Sequence, residues 1–91
     1  MAKSYQPTEE DILKTLNPSQ SFLSMKMDVF QITQLTASDL GYKGVILWRE
    51  KGRTSNILKS LQEKGLVDRK SKWDKKWYLT QEGRDLADTL D

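Results

Sequence analysis

A helical stripe that runs into a glycine, and from there into two-residue alternation, constrains this chain more than any other feature. Thr54, Ile57, Leu58 and Leu61 fall within one narrow arc of a helical wheel, so residues 53–64 are expected to form a helix with one buried side. Gly65 supplies the residue that tolerates the left-handed stop at a helix C-terminus. Residues 66–69 and 76–80 then read as the two strands of a hairpin, joined by the polar Lys70-Ser71-Lys72-Trp73-Asp74-Lys75. Alternation sends neighbours to opposite faces, so Trp77 and Leu79 are expected inside and Tyr78 nearer the surface. Thr80 is placed to cap a last helix whose apolar side is Leu86, Ala87 and Leu90. A helix passing directly into a hairpin and out into another helix makes the fold class α+β.

The first half reads as helical throughout. Residues 1–7 carry no apolar periodicity and are expected to be a flexible tail, leaving 8–91 as a single domain. Thr8, with Glu9, Glu10 and Asp11 after it, gives a cap and an acid three residues on, and Ile12, Leu13 and Leu16 share one face of the helix that follows. Asn17-Pro18 ends it, because proline disfavours helical geometry in the residue before it. A second helix is expected from near Ser21, with Phe22, Met25, Val29 and Ile32 as its core stripe, widened by Phe30 and Leu35. Thr36 and Asp39 repeat the capping spacing, which predicts a third helix with Ala37 and Leu40 facing inward. Gly41 and Gly44 weaken it, and the run Val45-Ile46-Leu47-Trp48 fits buried helix or short strand; helix is the expectation, with Trp48 in the core.

Composition removes most chemistry. The 91 residues contain no cysteine and no histidine, which excludes disulfides, thiol nucleophiles, imidazole acid-base catalysis and structural zinc. The paired acids Glu9-Glu10 and Asp85-Asp88 lie on polar helix faces with no basic partner set, and Gly41, Gly44 and Gly52 fit no phosphate-loop spacing. No enzyme, cofactor or metal is expected. The apolar run at 45–48 is far below the roughly 18 residues of a membrane span, so a soluble, cytoplasmic chain is expected, nucleoid-associated if prokaryotic. The net charge of +2 hides a pattern: residues 41–80 carry eleven basic groups against four acids, a net +7, between acidic flanks. That distribution suits a phosphate-binding surface, although a solvated face would carry the same residues.

The segment Ile57-Leu58-x-x-Leu61-x-x-x-Gly65-Leu66-Val67, then the basic hairpin, then Tyr78-Leu79-Thr80-x-x-Gly83, resembles the winged helix-turn-helix of MarR-like and PadR-like bacterial and archaeal regulators. The resemblance covers about half the chain and is similar also to the minimal winged helices of small archaeal and phage regulators. It implies a three-helix core, a C-terminal β-hairpin wing and a short final helix. It implies further that residues 36–48 are the positioning helix, about 53–64 the recognition helix and 69–76 the wing. The stretch 36–65 is a few residues longer than in compact members. MarR-type regulators dimerise through long terminal helices, whereas the end helices here run to about ten residues each, so a homodimer stays open.

By that reading the partner is double-stranded DNA and the activity sequence-specific transcriptional regulation. Ser55, Asn56, Lys59 and Ser60 would face the major groove, with Arg53 near the helix start on phosphate. Arg69, Lys70, Lys72, Lys75 and Lys76 would lie along the backbone or minor groove. Trp73, in the hairpin loop, either folds back onto the core or contacts a partner or base. The rival is a winged helix used for protein contact, anchored through Trp73 and the first helix, with no direct reading of DNA.

Overall fold

The computed structural model describes residues 4–17 and 27–90. Its elements run α1 (Glu9–Leu16), β1 (Met27–Asp28), α2 (Val29–Asp39), α3 (Trp48–Glu63), β2 (Val67–Arg69), β3 (Lys76–Leu79) and α4 (Gln81–Thr89). The three strands form one antiparallel sheet in the order β1-β3-β2, with Met27 opposite Trp77, Arg69 opposite Trp77 and Val67 opposite Leu79. The fold is α+β, four helices around a small sheet.

Local chemistry explains the elements read correctly from the sequence. In α1 the Asp11 amide donates to Thr8 Oγ1 at 3.2 Å and the Thr8 amide donates to Asp11 Oδ2 at 2.8 Å, a reciprocal cap. The helix ends at Asn17, whose backbone is already extended. At the end of α3, Gly65 adopts φ +77°, and the Leu66 amide reaches back to the Leu61 carbonyl at 2.9 Å, closing the last turn. Thr80 caps α4 by accepting from the Gly83 amide at 3.1 Å.

The core joins all these elements. Ile12, Leu13 and Leu16 of α1, Met27, Ile32 of α2, Leu58 and Leu61 of α3, Val67, Trp77, Leu79 and Ala87 of α4 form one buried cluster. Where the helices meet, the core carries hydroxyls. Thr15 Oγ1 lies 2.8 Å from Thr36 Oγ1, linking α1 to α2, and Thr33 Oγ1 lies 2.8 Å from Thr54 Oγ1, linking α2 to α3. Thr54 Oγ1 also shares a 2.7 Å hydrogen bond with Tyr5 Oη. Tyr5 is 2% exposed, so residues 4–7, assigned to a loose tail on the sequence, are packed at Tyr5.

The first half departs from the sequence reading in register. The expected helix from Ser21 falls in part on residues 18–26, outside the described residues, and Met27–Asp28 is strand. The start of α2 is set by Asp28, whose Oδ1 accepts from the Gln31 amide at 2.8 Å while Gln31 Oε1 accepts from the Asp28 amide. Thr36 to Asp39 opens no third helix: it is the last turn of α2, stopped by Gly41 at φ +74° with the Tyr42 amide returning to the Ala37 carbonyl. Residues 40–47 are loop rather than helix. Val45, Leu47 and Trp48 stand in solvent, and Trp48, expected in the core, is 74% exposed. Helix α3 begins five residues before the expected Arg53, because the Glu50 carboxylate accepts the Leu47 amide at 2.6 Å and Gly52 is carried inside the helix. In α4, Ala87 is buried as expected, but Leu86 is 40% exposed.

Candidate functional site

One face of α3 meets the hairpin across an open groove of about 430 Å³, lined by Lys51, Ser55 and Lys59 of α3, Arg69 and Trp77 of the sheet, Lys75, and Asp28, Val29 and Phe30 at the start of α2. Spacing explains the α3 contribution. At 3.6 residues per turn, Lys51, Ser55 and Lys59 project within about 80° of one another, on the side of α3 away from the Ser60 and Lys64 contacts to α1. Sheet register supplies the other wall. Arg69 faces Trp77 across β2 and β3, and its guanidinium carbon sits 4.4 Å from the Trp77 ring centroid. The Arg69 Nε is buried with no hydrogen-bond partner among the described residues. Lys51 Nζ lies 5.9 Å from the Phe30 ring centroid, and Phe30 is 43% exposed.

Charge in the groove is one-sided. None of Lys51, Lys59, Arg69 and Lys75 enters an ion pair among the described residues. The lining carboxylate, Asp28, is engaged by the Gln31 amide as a helix cap. A hydrogen bond from Lys64 holds Glu9 below the usual carboxylate range, and one from Gln62 does the same for Asp68. Four cations with no ion pair to a described residue give the groove a positive charge.

The expected site residues divide into several groups. Ser55, Lys59, Arg69 and Lys75 converge on this groove. Arg53 and Asn56 lie on the other flank of α3, where they line a shallower depression of about 360 Å³ with Ile57, Gln6 and Pro7. Ser60 is turned away from the outer face: its hydroxyl donates to Glu9 Oε2 at 3.2 Å, and Lys64 pairs with the same carboxylate at 2.7 Å, tying α3 to α1. Lys70, Lys72 and Lys76 are exposed around the hairpin but do not line the groove. Trp73 does not fold back. It is 82% exposed, with Lys72 Nζ 5.1 Å from its ring centroid. The apolar residues of α1, Ile12, Leu13 and Leu16, are all in the core and offer no partner an anchor.

Sequence reasoning missed Lys51 and Phe30. Lys51 continues the 55 and 59 spacing one turn earlier and lies outside the helix expected over 53–64. Phe30, expected to widen the core stripe of the second helix, is instead 43% exposed and turns its ring outward at the groove. No helix among the described residues is long and apolar enough to cross a membrane, and no cluster of three metal-ligating side chains occurs among them.

The chain matches no protein-family model, no curated protein and no solved structure.

Proposed function

We propose that this chain is a winged-helix domain that binds double-stranded DNA as a transcriptional regulator, with α3 in the major groove and the basic hairpin on the backbone. The four helices and three-stranded antiparallel sheet of the described residues, with a cationic hairpin between α3 and α4, are compatible with that architecture. The observation that carries the reading is the convergence of Lys51, Lys59, Arg69 and Lys75 on one groove with no ion pair among them. Phosphate is the anion that such a row fits, since each cation neutralised by a phosphate releases condensed counterions from the duplex. Asn56 and Ser55 are the uncharged side chains on the outer part of α3 able to donate and accept at base edges.

Binding of a labelled duplex, followed by fluorescence anisotropy across salt concentrations, tests the proposal. Affinity should fall linearly on a log-log plot as salt rises, and Lys59→Ala should weaken binding to all sequences alike and lower the slope by about one. Charge reversal at Lys59 or Lys75 should cost about tenfold or more. Absence of duplex binding at low salt would defeat the reading.

The exposure of Trp73 favours a second one, a protein-contact module. In that case Lys59→Glu and Lys72→Glu would leave partner capture intact and Trp73→Ala would abolish it.

A further inference from the structure

The N-terminal end of α3 holds a feature that duplex recognition does not use. Trp48 is 74% exposed, with the Arg49 guanidinium carbon 5.5 Å from its ring centroid. One turn further on, Gly52 sits inside a 16-residue helix. Two reasons commonly account for a glycine in such a place, and neither holds. Its backbone does not have positive φ, and a Cβ built there meets nothing within 4 Å. A helix-interior glycine that packing does not require weakens the helix. What it does is leave bare the surface over the preceding turn, because helical side chains lean toward the N-terminus. The residue of that turn on the same face is Trp48.

Trp48 also stands in line with the cations. At 3.6 residues per turn it projects within about 60° of Lys51, Ser55 and Lys59, so the aromatic ring continues the stripe that lines the groove. At the far side, Trp73 stands two residues before the groove-lining Lys75, with its own cation, Lys72, beside it. The third tryptophan, Trp77, is 2% exposed and stacked under Arg69. Two bared rings, each attended by a cation, thus flank in sequence the groove-lining cations, which make no ion pair among the described residues.

We infer that the Trp48–Gly52 notch is a stacking site for an unpaired nucleobase, through which the chain binds nucleic acid carrying unstacked bases, such as single-stranded DNA, in addition to continuous duplex. A bared indole offers a flat face to any base, and the row of cations beside it tracks the phosphates. The inference rests on the nucleic-acid reading of the groove but not on insertion of α3 into a duplex.

The test uses the whole chain and two probes, a short oligothymidylate and a blunt duplex of mixed sequence, read by tryptophan emission and by anisotropy. Trp48 emission, taken in the Trp73→Phe background as the signal that a further Trp48→Phe change removes, should be quenched by oligothymidylate at salt concentrations where the duplex leaves it unchanged. Trp48→Ala should lower single-strand affinity about five-fold or more and leave duplex affinity as it was. Gly52→Ala should raise the melting temperature and yet weaken single-strand binding, a pairing that a merely structural role for Gly52 does not produce. Circular dichroism on each variant verifies the fold. Unchanged single-strand affinity in Trp48→Ala overturns the inference, as does a Trp48 emission shift with anionic vesicles and none with oligothymidylate. Duplex binding that depends on Lys59, with no single-strand binding, overturns it while the duplex reading stands. Single-strand quenching without duplex binding does the reverse.

Discussion

Gly52 and Gly83 both lie inside helices, and one substitution separates them. A Cβ at Gly83 would overlap the Leu66 carbonyl oxygen, which is backbone and already accepts the Thr80 amide at 3.1 Å. Neither partner can yield without moving the junction of α4 and the first hairpin strand. Gly83→Ala is therefore expected to destabilise the fold by about 1–3 kcal/mol, as overpacking does. At Gly52 the space is open, and alanine should stabilise by roughly 0.5–1 kcal/mol. Urea denaturation of the two variants beside the parent measures both, and equal effects would contradict the geometry. The Thr80-x-x-Gly83 spacing thus has a cause: the threonine caps the helix and the glycine lets the first turn of α4 approach the strand backbone.

At the scale of elements, legibility followed how local the signal was. The start of α1, the stop at Gly65, the hairpin and the cap at Thr80 rest on residues within a few positions of one another, and each stands where the pattern put it. The starts of α2 and α3 were obscured. At α2 a hydrophobic stripe ran on through Met25 and Val29 and concealed the Asp28 and Gln31 cap; at α3 the apolar stripe shows only from Thr54 on, and Gly52, which propensity disfavours, lies inside the helix before it. Burial of Thr54, Leu58 and Leu61 and the Glu50 contact to the Leu47 amide outweigh that penalty. The candidate site was half legible for the same reason. Its α3 and hairpin cations were visible, while Lys51 and Phe30 depended on where α3 begins and how α2 is rotated. Asp28 separates two roles. Asp28→Ala should cost about 1 kcal/mol through loss of the cap, whereas Asp28→Asn should keep most of that stability. Both remove the carboxylate from the groove and should tighten binding of a labelled duplex. Loss of affinity in the asparagine variant would count against an anion in the groove.

The molecule as a whole should lose stability toward both ends of the pH scale, for different reasons. Glu9 and Asp68 have lowered pKa values in the folded state, by the hydrogen bonds from Lys64 and Gln62. Their stabilisation is present above the unfolded carboxylate range and is lost as pH falls through the folded values. Tyr5 is the opposite case. Burial raises its phenol above the ordinary value of 10.0, so the folded chain keeps it protonated where the unfolded chain lets it ionise. Stability is complete below that value and declines above it, and Tyr5→Phe should flatten this alkaline decline while lowering stability at neutral pH through the lost bond to Thr54. Urea midpoints across pH for parent and variant decide it; parallel alkaline curves would remove Tyr5 from the account. The hydroxyl contact between Thr33 and Thr54 carries a mechanical consequence. Hydrocarbon surfaces let two helices slide with little change in energy, whereas a directional bond acts as a detent with one seat. Because α2 brings Phe30 to one bank of the groove and α3 brings Lys51 and Ser55 to the other, that detent sets the aperture between them.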